Sequence, residues 1–161
     1  MILQISCKAD VIIFDENIKI SLFQKKKEII TNLHPWEDWL RNDDGEVVSY
    51  RLKLGNKHDG FVYLIVTFKP PVNENALVAT WFIAPEGLIE GQQKKASGKV
   101  TKRLRDWFFK KTQVLLPTGG EWGHIDASYD PWNSVGMIVC NYKTAFEDQE
   151  KWREYRRSNL F

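Results

Sequence analysis

Cysteine is nearly absent from this 161-residue sequence, which has only Cys7 and Cys140. One possible bridge is no disulfide framework, and both residues lie in apolar, strand-like text, so they read as buried free thiols. No CxxC pair occurs, which excludes zinc ribbons and thioredoxin-type redox motifs. Long apolar runs are lacking too. Stretches such as Phe61–Phe68 fall far short of the ~20 residues that a membrane span needs. The N-terminal stretch has no basic leader and is interrupted by Lys8 and Asp10, unlike a signal peptide. A cytoplasmic protein without a membrane partner is expected. Net charge is low, +2 from 23 bases and 21 acids, so bulk charge names no partner. Catalytic signatures are missing: there is no GxSxG, HExxH or Walker loop. Histidine is sparse, with His34, His58 and His124 scattered along the chain. Only His124 has a carboxylate, Asp126, two residues on, the spacing that shares one face of a strand. One His and one Asp are too few to hold zinc. The pair reads as a hydrogen-bonded structural or interface histidine before a general base. No catalytic residue, metal or cofactor is expected.

What the chain does have is enough apolar material for a core. Hydrophobic residues make up 43%, charged residues 27% and aromatics 13%. A chain of this length buries roughly 68–70% of its unfolded surface, so one domain over 1–161 can stand without staples. Ile2–Cys7, Val11–Phe14 and Ile18–Phe23 carry the period-two, β-branched signal of strands, with Asp15-Glu16-Asn17 as a turn. Val47–Leu54, Phe61–Phe68 and Ala76–Ile83 follow as an antiparallel meander, because their connections are too short for parallel crossovers. The last two are nearly continuous apolar runs and belong at the centre of a sheet. Trp122–Tyr129 and Val135–Tyr142 form a later hairpin. Ile29, Ile30, Leu33, Trp36 and Leu40 suit a helix face within 25–42, broken near His34-Pro35. Val100, Leu104, Trp107, Phe108 and Leu115 mark a second helix, capped near Ala96-Ser97 and stopped by Pro117 and Gly119-Gly120. Thr144, with Glu147 three residues on, starts a terminal helix to about Arg157. The expected fold is α+β: one antiparallel sheet or more, about seven strands in all, with two or three helices.

The low net charge hides a separation. Lys94, Lys95, Lys99, Lys102, Arg103, Arg105, Lys110 and Lys111 face only Asp106 within 94–111. Eight bases against one acid give +7 there and leave −5 for the remainder of a +2 chain. Lys99, Lys102, Arg103, Arg105, Lys110 and Lys111 are candidates for an anion or nucleic-acid footprint, or simply the solvated face of an amphipathic helix. An acidic patch lies elsewhere: Glu37, Asp38, Asp43, Asp44 and Glu46 surround Trp36, Trp39 and Arg41. The segment from Glu121 to Ser134 packs Trp122, Tyr129 and Trp132 among His124, Asp126 and Asp130. Trp and Tyr are favoured interface anchors, offering large rigid area with one polar handle. The candidate partner-binding set is therefore Trp36, Glu37, Asp38, Asp43, Asp44, Trp122, His124, Asp126, Tyr129 and Trp132.

Several blocks carry a resemblance. Val11-Ile-Ile-Phe-Asp-Glu-Asn-Ile-Lys-Ile-Ser, the Trp36–Trp39 segment, Leu64-Ile-Val-Thr-Phe-Lys-Pro, Ala79-Thr-Trp-Phe-Ile and Tyr129-Asp-Pro-Trp-Asn-Ser-Val-Gly-Met-Ile-Val are similar to immunity proteins of bacterial contact-dependent growth inhibition and related polymorphic toxin systems. The resemblance implies a small cytoplasmic protein that binds and inactivates one cognate toxin, through its C-terminal toxin domain, without catalysis. The basic helix departs from what a nuclease-blocking DNA mimic would show. The alternative from the residues themselves is a nucleic-acid-binding regulator that uses helix 94–111.

Overall fold

Alternating apolar residues place strands close to where the sequence puts them, in a computed structural model that describes residues 3–15, 17–32, 35–86, 97–143 and 157. A small antiparallel sheet comes first: β1 (Ser6–Lys8), β2 (Val11–Ile13) and β3 (Lys19–Ile20), in that order. Asp15 sets the turn before β3, its Oδ1 accepting the amides of Asn17 at 2.7 Å and Ile18 at 3.0 Å. One helical turn, α1 (Lys26–Ile29), leads to a seven-stranded antiparallel sheet. Its strands are β4 (Glu37–Arg41), β5 (Val47–Asn56), β6 (Gly60–Phe68), β7 (Val78–Pro85), then, after helix α2 (Ser97–Thr112), β8 (Thr118–Gly120), β9 (Gly123–Asp130) and β10 (Val135–Tyr142). The spatial order β4-β5-β6-β7-β10-β9-β8 joins two meanders at the β7–β10 pair, with β6 and β7 central as their apolar text predicts.

Register explains the core. Leu52, Leu64, Ile83, Ile138 and Ala127 stand opposite one another across five strands, and Tyr50, Val66, Trp81, Cys140 and Ile125 form the next row. All ten are buried. The small sheet and α2 contribute Ile12, Phe14 and Ile20, and Val100, Leu104 and Phe108, to the same core. Phe14 meets the fully buried Trp81 edge-on, with ring centroids 5.4 Å apart. Trp81 Nε1 donates to the Tyr142 hydroxyl at 3.0 Å, and that hydroxyl donates to the Asp10 carbonyl at 2.9 Å. This relay satisfies two buried polar groups and ties the small sheet to the large one, as a buried indole N–H requires. Burial holds the Tyr142 hydroxyl far above its ordinary pKa, so it stays a donor. Both cysteines are free thiols; Cys140 is buried as expected, whereas Cys7 is only half-buried.

Three expectations change. The second half of the 25–42 helix is instead the edge strand β4, with every residue exposed. Pro35 lacks the amide a helix needs, and pairing with β5 gives the extended chain its hydrogen bonds. Helix α2 ends at Thr112, and Leu115, expected on its buried face, lies beyond it at 73% exposure. Gln113, at φ 62°, turns the chain out of the helix before Pro117 is reached. Gly119-Gly120, expected only to stop the helix, forms strand β8 with Thr118. A Cβ on Gly119 would lie 2.7 Å from the Gly123 carbonyl, so the close approach of β8 needs glycine. The expected α+β class holds, with a seven-stranded antiparallel sheet, and β1–β3 form a second, three-stranded sheet beside it. The terminal helix predicted from Thr144 lies outside the described residues, Arg157 excepted, as do His34, Lys94 and Lys95.

Candidate partner-binding surfaces

The β9–β10 hairpin presents one candidate surface. Along β9, buried Ile125 and Ala127 alternate with exposed His124, half-buried Asp126 and exposed Ser128. Asp126 is gripped by α2: Arg105 Nε donates to Oδ1 at 3.0 Å and Nη2 to Oδ2 at 3.1 Å. The Ala127 amide adds a third bond at 2.8 Å. Burial pushes the Asp126 carboxyl up, but the Arg105 hydrogen bond, the Ala127 amide and the charges of Arg105 and His124 outweigh it, and the net shift is down. The anticipated His124–Asp126 partnership is thus reduced to a charge effect, and Arg105 is withdrawn from the basic face of α2. No local spacing announces a pair 21 residues apart.

At the tip, the loop Pro131–Ser134 closes the hairpin between Asp130 and Val135, which face each other. Asp130 Oδ1 accepts the Trp132 amide at 2.9 Å and the Asn133 amide at 3.4 Å. Asn133 Nδ2 donates back to Oδ2 at 2.7 Å. These bonds, the Asn133 side chain first, hold the Asp130 carboxyl below its usual range. Trp132 is 93% exposed on this braced turn. Tyr129 is half-buried and packs against the core.

Two expected anchors belong to the core instead. Trp122 is 4% exposed, edge-on to Tyr142 with centroids 6.3 Å apart, and Gly120 leaves room for its ring. Trp36 is 9% exposed. Both indoles belong to the buried hydrophobic cluster, where burial of their area stabilises the fold.

The second surface is the opposite edge of the sheet. Glu37 and Asp38 lie on β4, and Asp43 and Asp44 in the exposed turn after it. Glu46 is fixed inward, its carboxylate accepting the Val72 amide at 3.2 Å. Glu37 Oε2 accepts from Arg51 Nη2 at 2.7 Å and Nε at 3.2 Å. The Arg51 guanidinium lies 4.0 Å from the Trp39 ring centroid and 5.4 Å from that of Tyr63. Trp39 and Leu40 are exposed here, so the aromatic offered to solvent is Trp39 rather than Trp36. Alternation in β5 was the available signal for Arg51; its stacking partners come from two other strands. Five strand steps, about 24 Å, separate β4 from β9.

On α2, Lys99, Lys102, Arg103, Lys110 and Lys111 point to solvent around buried Val100, Leu104 and Phe108. Among the described residues no group of three His, Cys, Asp or Glu is placed to hold a metal. None of their helices is long and apolar enough to cross a membrane.

Comparison with known proteins gives two matches. The family model described as RhsI1 immunity protein matches residues 3–161. A chain of the solved structure described as "Rhs1-CT in complex with cognate immunity protein RhsI1" is 39% identical, with a TM-score of 0.75 over 92% of each chain. No curated protein matches.

Proposed function

The chain belongs to the RhsI1 immunity protein family, and we propose that it engages its toxin with the β9–β10 hairpin as central anchor and the acidic β4 edge as a charged rim. It is a non-catalytic protein that neutralises a cognate toxin by binding it. The observation that carries this function is the match along residues 3–161 together with the 39% identity to a chain from a toxin–immunity complex.

Physical grounds separate the roles of the two surfaces. A stable interface covers about 800 Å² on each partner and draws most of its energy from a few desolvated aromatic or Arg residues. Trp132 and Tyr129 supply the aromatic part of that composition at the hairpin, with His124 and Asp126, the latter paired with Arg105 of α2, on β9. Glu37, Asp38, Asp43 and Asp44 remain in water, where charge steers approach more than it holds the complex. A basic toxin face would meet them. No observation favours the nucleic-acid alternative: Arg105 is committed to Asp126, and the remaining bases of α2 form an ordinary solvated face. The action is placed in the cytoplasm, a reading supported by two free thiols. The toxin is taken to be an Rhs-type C-terminal domain, delivered in contact-dependent growth inhibition.

The test uses an inactivated toxin domain encoded by the adjacent reading frame. A one-to-one complex on gel filtration and protection of cells expressing the active toxin are expected. Lysine at Glu37, Asp38, Asp43 and Asp44 together should slow association at low salt and leave dissociation within about twofold. Separate elution of the two proteins, with no protection, would overturn the assignment.

A further inference from the structure

Trp132 is the one large apolar side chain among the described residues that the fold leaves almost wholly in water, at 93% exposure. Sequence and geometry at the turn do the opposite of letting it move. Pro131 locks φ immediately before it. Asp130 clamps the Trp132 and Asn133 amides with one oxygen and receives the Asn133 side chain on the other. Ser134 completes the reversal in the left-handed region, at φ 52°. Five consecutive residues, from Asp130 to Ser134, thus specify one backbone conformation whose visible product is a projecting indole. None of these bonds reaches the core, and the hairpin could close without a tryptophan at its tip. Ordering a loop on association costs affinity, and a backbone already set removes most of that cost. An indole needs only two further torsions to be fixed.

We propose that the Asp130–Ser134 turn is a preorganised plug, in which Asp130 is a positioning residue that presents Trp132 to an apolar pocket on the toxin. The pocket has the size of one indole, with an acceptor at its rim for the indole N–H, because a buried Trp N–H needs a partner. This rests on the toxin-binding function above and names the residue pair that delivers it at the hairpin.

A double-mutant cycle separates positioning from mere structure. Affinity for the inactivated toxin domain encoded by the adjacent reading frame is measured by surface plasmon resonance. Trp132→Ala is expected to weaken binding at least about 30-fold, as hot-spot truncations do. Asp130→Ala is expected to weaken it about five- to tenfold, and Asp130→Asn, which keeps the oxygen that accepts both amides, to restore it to within about twofold. In the Trp132→Ala background, Asp130→Ala should have no further effect. An equal loss from Asp130→Ala in both backgrounds would make Asp130 an independent contact and overturn the positioning role. Unchanged binding by Trp132→Ala, with wild type still binding, would overturn the plug and leave the toxin-binding function standing. Failure of wild type itself to bind would strike the function instead. Circular dichroism melts of all variants check that the sheet is intact.

Discussion

Replacing Trp122 and Trp132 separately by alanine asks whether two tryptophans from one short aromatic segment do different jobs. Trp122 is 4% exposed and Trp132 93%. A buried indole removes about 200 Å² from water. At ~25 cal/mol/Å² that is about 5 kcal/mol, the upper end of the 3–5 kcal/mol typical of Trp-to-Ala changes in cores. The Trp122 edge contact with Tyr142, at 6.3 Å, lies inside this figure and is lost with it. For a chain of this size each kcal/mol lowers Tm by roughly 2–4 °C, so Trp122→Ala should melt about 10–20 °C early. Trp132 hides less than a tenth of its surface, so Trp132→Ala should cost under about 0.5 kcal/mol and move Tm by no more than about 2 °C. Thermal melts followed by circular dichroism at matched concentration measure both. A Trp132→Ala melt more than about 5 °C early, or a Trp122→Ala melt within about 2 °C of wild type, would refute the assignment of one indole to the core and the other to the surface.

Three further outcomes are expected. Asp126→Asn should destabilise by less than about 1 kcal/mol at neutral pH, since Arg105 is 41% exposed in that pair. Because the folded-state pKa of Asp126 is lowered, its contribution is complete above the unfolded value near ~3.9 and is lost as pH falls through the folded one. Urea melts of wild type and variant should therefore converge in strong acid; a gap that persists there would show that the pair's worth is packing. Burial, and the nearby charge of Asp10, push the Cys7 thiol up to about 12 from an ordinary 9.0. Its thiolate fraction at pH 8 is then on the order of a thousandfold lower than in the unfolded chain. Alkylation by iodoacetamide should be slow until urea is added, and rapid native labelling would contradict the raised pKa of the half-buried thiol. Gly123 sits at φ +140°, and a Cβ there would lie 2.0 Å from the Asn141 carbonyl. Gly123→Ala should cost about 2 kcal/mol or more by opening the β9–β10 ladder, measured as an early melt.

The partition between legible and illegible features follows the range of the forces involved. Local periodicity was enough for β5, β6, β7, β9, β10 and the buried face of α2, because alternation or 3.6-residue spacing is imposed within a few residues of sequence. The central place of β6 and β7 was likewise written in their unbroken apolar runs. The residues of β4 resisted the same treatment: Trp36 and Leu40 fit a helical spacing, but Pro35 and the waiting edge of β5 decided for a strand. β8 carries little more than two glycines, and its strand character exists only because Gly123 and His124 run beside it.

Site residues divide the same way. From sequence alone came an α+β chain with no catalytic or metal signature, a basic helix, an acidic segment and a turn dense in aromatics. Which aromatics are core could not be read there, since Trp122 and Trp132 stand in equally mixed company. Tertiary structure decided it: Trp122, in the turn between β8 and β9, packs into the buried cluster against Tyr142, and the Asp130 turn leaves Trp132 in solvent. Tertiary structure also set the true charge of the basic helix, by spending Arg105 on Asp126, and stacked Arg51 between aromatics of two other strands. Hydrophobic pattern acts through neighbours in the chain and so is visible in it. Burial, ion pairing and stacking act between residues that only the folded backbone brings together.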